Sequence, residues 1–474
     1  MHKRGYDAVV VGSGPNGLAA AITLRLRGLA VLLVEARATV GGGMRSAELT
    51  LPGYVHDVCS AIHPMAAASP FFGGLPLEQH GLAYIHPPVL VAHPFDDGTA
   101  SALRRSLPDT ARSLREDERA YMRLMAPLVG RWDRLVADIL GPPGWPRHPG
   151  EFARFGLHAM APALTSARRF HSVAARGLWA GLAAHGVLPF SKIMSSAVGL
   201  VLAAAGHVHG WPLVRGGSQN LANALAGIFA SLGGEIQLGQ EVASIDALPA
   251  SRAVLLDVTP RQALRLAGHR FTAFYRWQLG GFRYGPGVFK MDWALADPIP
   301  FTAPECREAG TVHLGNTLEE IAAAEAEVGW GRHPARPFVL LAQPPRFDPS
   351  RAPAGRHTAW AYCHVPPGSE RDMTKAIEQQ VERFAPGFRE RILGRHSMNT
   401  RAMTAYNPNY VGGDINGGVV DLGQSINRPA LRPSPYRTSA RGVYLCSAST
   451  PPGGGVHGQC GTHASRTALA DLFD

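Results

Sequence analysis

Lysine is nearly missing from this chain. Of its 46 basic residues only Lys3, Lys192, Lys290 and Lys375 are lysine, and against 36 acidic residues the formal net charge is +10. The arginines are scattered and no nucleic-acid module is legible, so no nucleic-acid partner is expected. A compositional bias toward arginine and alanine accounts for the charge, and attraction to an anionic membrane surface is the alternative. Cysteine is scarce as well. Cys59, Cys306, Cys363, Cys446 and Cys460 are odd in number, far apart and without a C-x-x-C. That excludes a disulfide framework and a dithiol redox centre and fits a reducing cytoplasm. No H-E-x-x-H, Cys/His cluster or G-x-S-x-G occurs, so neither a metal site nor a serine hydrolase triad is expected. The longest weakly polar stretch, 193–206, is too short to cross a bilayer. The apolar run after His2, Lys3 and Arg4 is broken by Asp7 and glycines, unlike a signal peptide. The expected protein is soluble or peripheral. With 46% hydrophobic and 17% charged residues over 474 positions, it is globular and long enough for two or three domains.

Glycine, in contrast, is abundant and concentrated. The stretch 7–45 reads DAVVVGSGPNGLAAAITLRLRGLAVLLVEARATVGGGMR. A β-branched run at 8–11 predicts a buried strand, 18–27 a helix, and 30–34 a second strand ending at Glu35. Between strand and helix lies G-x-G-x-x-G, with Gly12 for the tight turn, Gly14 for close approach of a pyrophosphate, and Gly17 for helix–strand packing. The helix start offers unpaired N–H groups and a positive dipole end to phosphate. Glu35 is placed to accept hydrogen bonds from a ribose. An ordinary βαβ unit with a glycine-rich turn is the competing explanation, and the strand, helix and acid in correct order weigh against it.

The following Gly41-Gly42-Gly43-Met44-Arg45-Ser46 resembles the extended signature of the two-dinucleotide-binding flavoproteins, the glutathione-reductase-like group that includes amine oxidases and carotenoid desaturases. Gly53, Tyr54, Asp57 and Ser60 match a Gly-aromatic-x-x-Asp-x-x-Ser segment of its phytoene/carotenoid-desaturase-like members. The return at 214–248, with Gly216-Gly217-Ser218 before an amphipathic helix and a strand, is similar to the segment in which those chains re-enter the cofactor domain. Thr450, Pro452, Gly453 and Gly455 resemble their final FAD loop before a terminal helix. The resemblance implies an α/β fold: a Rossmann-like FAD-binding domain with an interleaved α+β substrate domain. The FAD domain would comprise 1–74, 213–264 and 401–474, and the substrate domain 75–212, largely helical, and 265–400, a mixed sheet. It also implies FAD as cofactor. The implied binding residues are Gly12, Gly14, Pro15, Asn16, Gly17, Glu35 and Ala36, then Gly42, Gly43, Met44 and Arg45, with Arg45 near the pyrophosphate or flavin. Val242, on the re-entry strand, would meet adenine, and Ser449, Gly455, Val456 and His457 would border the flavin. The Ser447-Ala448-Ser449 stretch departs from the glycine or acid usual there.

Elsewhere the pattern is less specific. Residues 47–51 and 54–59 read as a hairpin, 81–93 as paired strands, and 116–140 and 152–185 as amphipathic helices. Strands are expected at 253–258, 282–295, 338–343, 357–365 and 443–447, and a helix at 373–384. Lys290 and Asp292 share one strand face, read foremost as a surface pair. Trp360, Tyr362 and His364 share another, as a pocket wall or as core. The loop 406–418 is too rich in Asn, Asp and Gly for a regular element. His63, His457, Tyr406 and Asp414 are the candidate acids or bases, each with a structural role as the alternative. The function implied is an FAD-dependent oxidoreductase exchanging a hydride with a carbon of a hydrophobic small molecule, as a desaturase or saturase. A flavin amine oxidase and a non-enzymatic lipid binder are the alternatives. Monomer and homodimer are equally open.

Overall fold

A computed structural model describes residues 5–474. Two sheets organise it. The first has five parallel strands, in the order Val443–Leu445, Ala253–Leu256, Ala8–Val11, Val31–Val34, Glu235–Gln237. Both of its faces are covered, which is why its strands are continuous apolar runs rather than alternating ones. Ala8 and Val10 point into a core shared with the helices Pro15–Arg25, Gln219–Ser231 and Gln459–Leu472. Val9 and Val11 point the other way, onto the helices Pro260–Ala267 and Ala273–Gly280. This is an α/β Rossmann-like layer.

The second sheet is mixed and has seven strands, ordered Ile392–Met398, Gly287–Leu295, His357–Val365, Val339–Ala342, Ala309–Leu314, Val89–Pro94 and Ala100–Leu103. All neighbours are antiparallel except Val89–Pro94 with Ala309–Leu314. Met291, Trp293, Ala361 and Cys363 face a core closed by the helix Thr374–Phe384. Val288, Leu340, Trp360 and Tyr362 face the opposite core, beneath the helices Val173–Ala184 and Ala197–His209. No helix among the described residues is long and apolar enough to cross a membrane.

Several expectations are corrected here. The stretch 81–93 does not pair with itself: Tyr84–Ile85 pairs with Leu213–Val214, while Val89–Pro94 joins the large sheet. The predicted long helices are broken at 130–131, 140–148, 160–162 and 168–172, with Gly130, the Gly/Pro-rich 141–150 and Pro162 at the first three breaks. Because Ala273–Gly280 packs on the first sheet, the chain leaves that layer near 281 and not at 265. Lys290 and Asp292 are no surface pair. They are 1% and 0% exposed, their side chains form an ion pair, and His396 Nδ1 lies 3.2 Å from the same carboxylate. Trp360, Tyr362 and His364 follow the core alternative: all three are buried, Trp360 meets Tyr362 edge-on and Tyr362 is tilted against His364, whose Nδ1 lies 2.8 Å from Glu325.

Candidate functional site

A cleft of about 320 Å³ opens at the carboxyl ends of the parallel strands, where ligands of open α/β sheets bind. Gly12, Glu35, Asp257 and Ser447 follow the four strands that reach it. Its floor is the turn 12–16. Gly14 is the extended N-cap of the first helix, and Pro15 opens the helix, three residues earlier than the apolar pattern suggested. A Cβ on Gly17 would lie 2.0 Å from the Gly12 carbonyl oxygen, so this turn admits only glycine there. A Cβ on Gly42 would lie 2.9 Å from Gly14 Cα, so the second glycine run closes directly over the first.

Glu35 is 7% exposed and already well engaged. Its Oε2 accepts from the Ser13 N–H at 2.9 Å and the Ser13 hydroxyl at 2.5 Å. Its Oε1 accepts from the Arg37 N–H at 2.9 Å and pairs with Arg45 Nη2 at 3.1 Å. Arg45 further donates to the Thr39 carbonyl and to that of Gly42, so in this structure it secures the acid and the second glycine run. Asp257 is half-buried and aimed at the same turn. Its Oδ2 accepts from the Gly17 N–H at 2.9 Å, and burial, with Glu35 adding to it, pushes its pKa up to about 7.

Of the residues implied by resemblance, Gly12, Gly14, Pro15, Asn16, Glu35, Ala36, Gly42, Gly43, Arg45, Val242, Ser449, Gly455 and Val456 line the cleft. Gly17 supports it from beneath through its N–H. Val242 lies in a loop beyond the short strand Glu235–Gln237, not on a strand. Val456 holds φ at 57°, a left-handed conformation that a β-branched residue rarely adopts, in the loop bordering the cleft. The Met44 side chain does not line the cleft: it is fully buried in the core beneath the first sheet.

The candidate acids and bases separate clearly. His457 is buried away from the cleft, and its Nδ1 accepts the Gln459 N–H, capping the last helix; burial lowers its pKa to about 4. That bond also takes the first N–H of the terminal helix. His63 lies against Ser218 Oγ at 2.8 Å, and since that hydroxyl donates to the Ser60 carbonyl, His63 Nε2 is the donor. Burial lowers its pKa to about 4 as well. Asp414 accepts from the N–H groups of Gly285, Asn416 and Gly418, tying the loop 406–418 together. Only Tyr406 of the four borders the cleft. Asp57, in the matched segment 53–60, accepts from Ser46, the Ser218 N–H and Arg351, whose guanidinium holds its carboxyl below the usual range. That segment is a junction between the two sheets' surroundings.

Sequence reading missed Asp257, Ser13, Cys59 and Tyr410 as cleft residues. A charged residue ending a buried parallel strand was a usable signal for Asp257; the others come together only in three dimensions.

At its apolar end, against the second glycine run, the cleft is lined by Cys59, Tyr406, Tyr410 and Ile415, with Tyr406 Oη 3.4 Å from the Gly42 carbonyl oxygen. All four belong to or pack on the hydrophobic cluster that includes Trp360, Tyr362 and Met398 of the second sheet. Residues 10–72 match the NAD(P)-binding Rossmann-like domain family. The pyridine nucleotide-disulfide oxidoreductase domain-containing protein 2 of Rattus norvegicus is 26% identical, over 98% of this chain and 94% of its own. The lycopene-forming phytoene desaturase of a Paracoccus species is 26% identical over 55% of each chain. A solved putrescine oxidase bound to putrescine shares the fold at a TM-score of 0.62 and 17% identity, covering 98% of both chains. The chain is thus a Rossmann-fold protein, similar along nearly its whole length to an oxidoreductase-domain protein.

Proposed function

We propose that this chain is an FAD-dependent oxidoreductase acting on a carbon–carbon bond of an apolar substrate, as a desaturase or saturase. The observation that carries the reading is the continuity of the cleft from the Gly12–Gly14–Glu35 turn to an apolar end built with the second sheet's core. The residues fit a dinucleotide. A Cβ on Gly14 would lie 2.7 Å from Asp257 Oδ2 and one on Gly42 2.9 Å from Gly14 Cα, so bare backbone lines the turn, and the buried Asn16 Oδ1 has no partner among the described residues. The N–H groups of Gly14 and Asn16 would hold the diphosphate, Glu35 the ribose, and the loop 447–456 the far ring. When bound, FAD supplies hydride exchange through its N5 position. Cys59, Tyr406, Tyr410 and Ile415 exclude water at that end, and burial keeps the hydroxyls of Tyr406 and Tyr410 protonated. Local similarity to a phytoene desaturase supports the substrate class.

A second reading, an amine oxidase on the same scaffold, is favoured by the two tyrosines at the inner end of the cleft. Absorption of the purified protein near the flavin bands tests both. A protein that neither carries nor takes up FAD sinks them together. Anaerobic mixing of the oxidised protein with polyene and amine panels separates them, since bleaching by amines alone rejects the desaturase reading.

A further inference from the structure

We propose that Asp257 is part of the diphosphate site of this cleft, and that a dinucleotide diphosphate binds with this carboxyl protonated, one proton being taken from solvent as it enters. The inference rests on the dinucleotide reading of the cleft and goes beyond it. The geometry is specific. The first-helix turn is the place where a Rossmann fold presents N–H groups to a diphosphate. Here its Gly17 N–H is committed to Asp257 Oδ2 at 2.9 Å, and a Cβ on Gly14 would lie 2.7 Å from the same oxygen. An anionic carboxyl therefore faces the cradle in which two further negative charges must sit.

Nothing nearby offsets that charge. Glu35, from the end of the neighbouring strand, is acidic and adds to it. Cys446, at the end of the adjacent strand, and Cys460, in the last helix, face it with thiols that burial holds in the neutral form. The first helix contributes only N–H groups, from Gly14 and Gly17. No lysine, arginine or histidine among the described residues is paired with Asp257. Burial already pushes its pKa up to about 7, and an approaching diphosphate raises it further. On protonation the carboxylate gains an O–H that can donate to a non-bridging diphosphate oxygen, so repulsion becomes a hydrogen bond. The proton comes from the buffer and stays on the carboxyl; no other bond changes.

The test is calorimetric titration of FAD into the full chain freed of nucleotide, at pH 8, in two buffers of different ionisation enthalpy. The expected result is uptake of close to one proton per FAD, with affinity weakening toward tenfold per pH unit between pH 8 and pH 9. The Asp257→Asn variant should bind FAD more tightly than the parent at pH 9, with uptake near zero and little pH dependence. Binding without proton uptake in the parent chain, or equal uptake in parent and variant, overturns the role of Asp257 and leaves the FAD reading intact. Absence of any FAD binding across pH 6 to 9 overturns both. The parent measurement is decisive even where the variant fails to fold.

Discussion

At the scale of single residues, the cleft is built from charges that the fold has already engaged. Glu35 is both a ribose acceptor in the proposed complex and the partner of Arg45 and of the Ser13 N–H. Glu35→Gln should weaken FAD binding by about 1–3 kcal/mol, the scale of a charge-assisted hydrogen bond. Flavin fluorescence titration reads this, and an unchanged affinity would remove Glu35 from the ribose site. Asp257 has the opposite sign from most structural carboxylates. Its pKa in the folded chain is raised, so the folded state holds a proton that the unfolded chain has lost. The resulting loss of stability is absent below about pH 3.8, grows to about pH 7 and is constant above. Urea unfolding of the nucleotide-free protein should therefore show Asp257→Asn gaining on the parent by about 1–3 kcal/mol more at pH 7.5 than at pH 5. An equal gain at the two pH values would show that Asp257 is not shifted.

At the scale of elements, two crossings decide whether the site exists. The first helix and the last helix meet so closely that a Cβ on Gly461 would lie 1.9 Å from the Asn16 carbonyl oxygen. Gly461→Ala should force the helices apart and cost about 1–3 kcal/mol of stability, as overpacking does, while also displacing the N–H groups of Gly14 and Asn16. Chemical unfolding and FAD affinity should fall together; loss of neither would mean that the contact yields freely. The strand Gly287–Leu295 carries Lys290 and Asp292 into a closed junction with His56 and His396. Asp292→Ala leaves a buried cation unpaired and should cost about 3–5 kcal/mol, whereas replacing Lys290 and Asp292 together with Met and Leu should cost less. Equal losses in the single and double variants would show that the pair is not coupled. The alternation of β-strand side chains put both residues on one face, but that both faces of this strand are buried depended on the elements packed on them, and the sequence pattern carries no record of those.

For the whole molecule, histidine burial sets the acid limit. His63, His93, His207 and His457 all have pKa values lowered by burial to about 4, and His185 to about 3. A histidine lowered in the folded state takes up its proton more readily when unfolded. Stability is then complete above about pH 6.5 and is lost as pH falls toward 4. Each contributes on the order of 1 kcal/mol per pH unit across that window, so the thermal midpoint should drop steeply between pH 6.5 and 4.5. A flat midpoint over that range would contradict the burial of these rings as neutral groups.

What the sequence determined by itself is the set of local, periodic features: the strand–glycine-turn–helix–strand opening, Glu35 at the end of the second strand, and the glycine-rich closing loop. Each follows from backbone geometry over a few consecutive residues, and so it is legible without a fold. The α/β architecture was implied by the family resemblance that these features carry. Tertiary structure alone decided that Arg45 pairs with Glu35, that Met44 is core, and that His63, His457 and Asp414 serve the scaffold. It also brought Asp257 and Tyr410 to the cleft from positions far along the chain. Those outcomes turn on burial and on spatial neighbours, some close in sequence and some, such as Ser218 for His63, 155 residues away, and a side chain's protonation and role are set by what surrounds it in space.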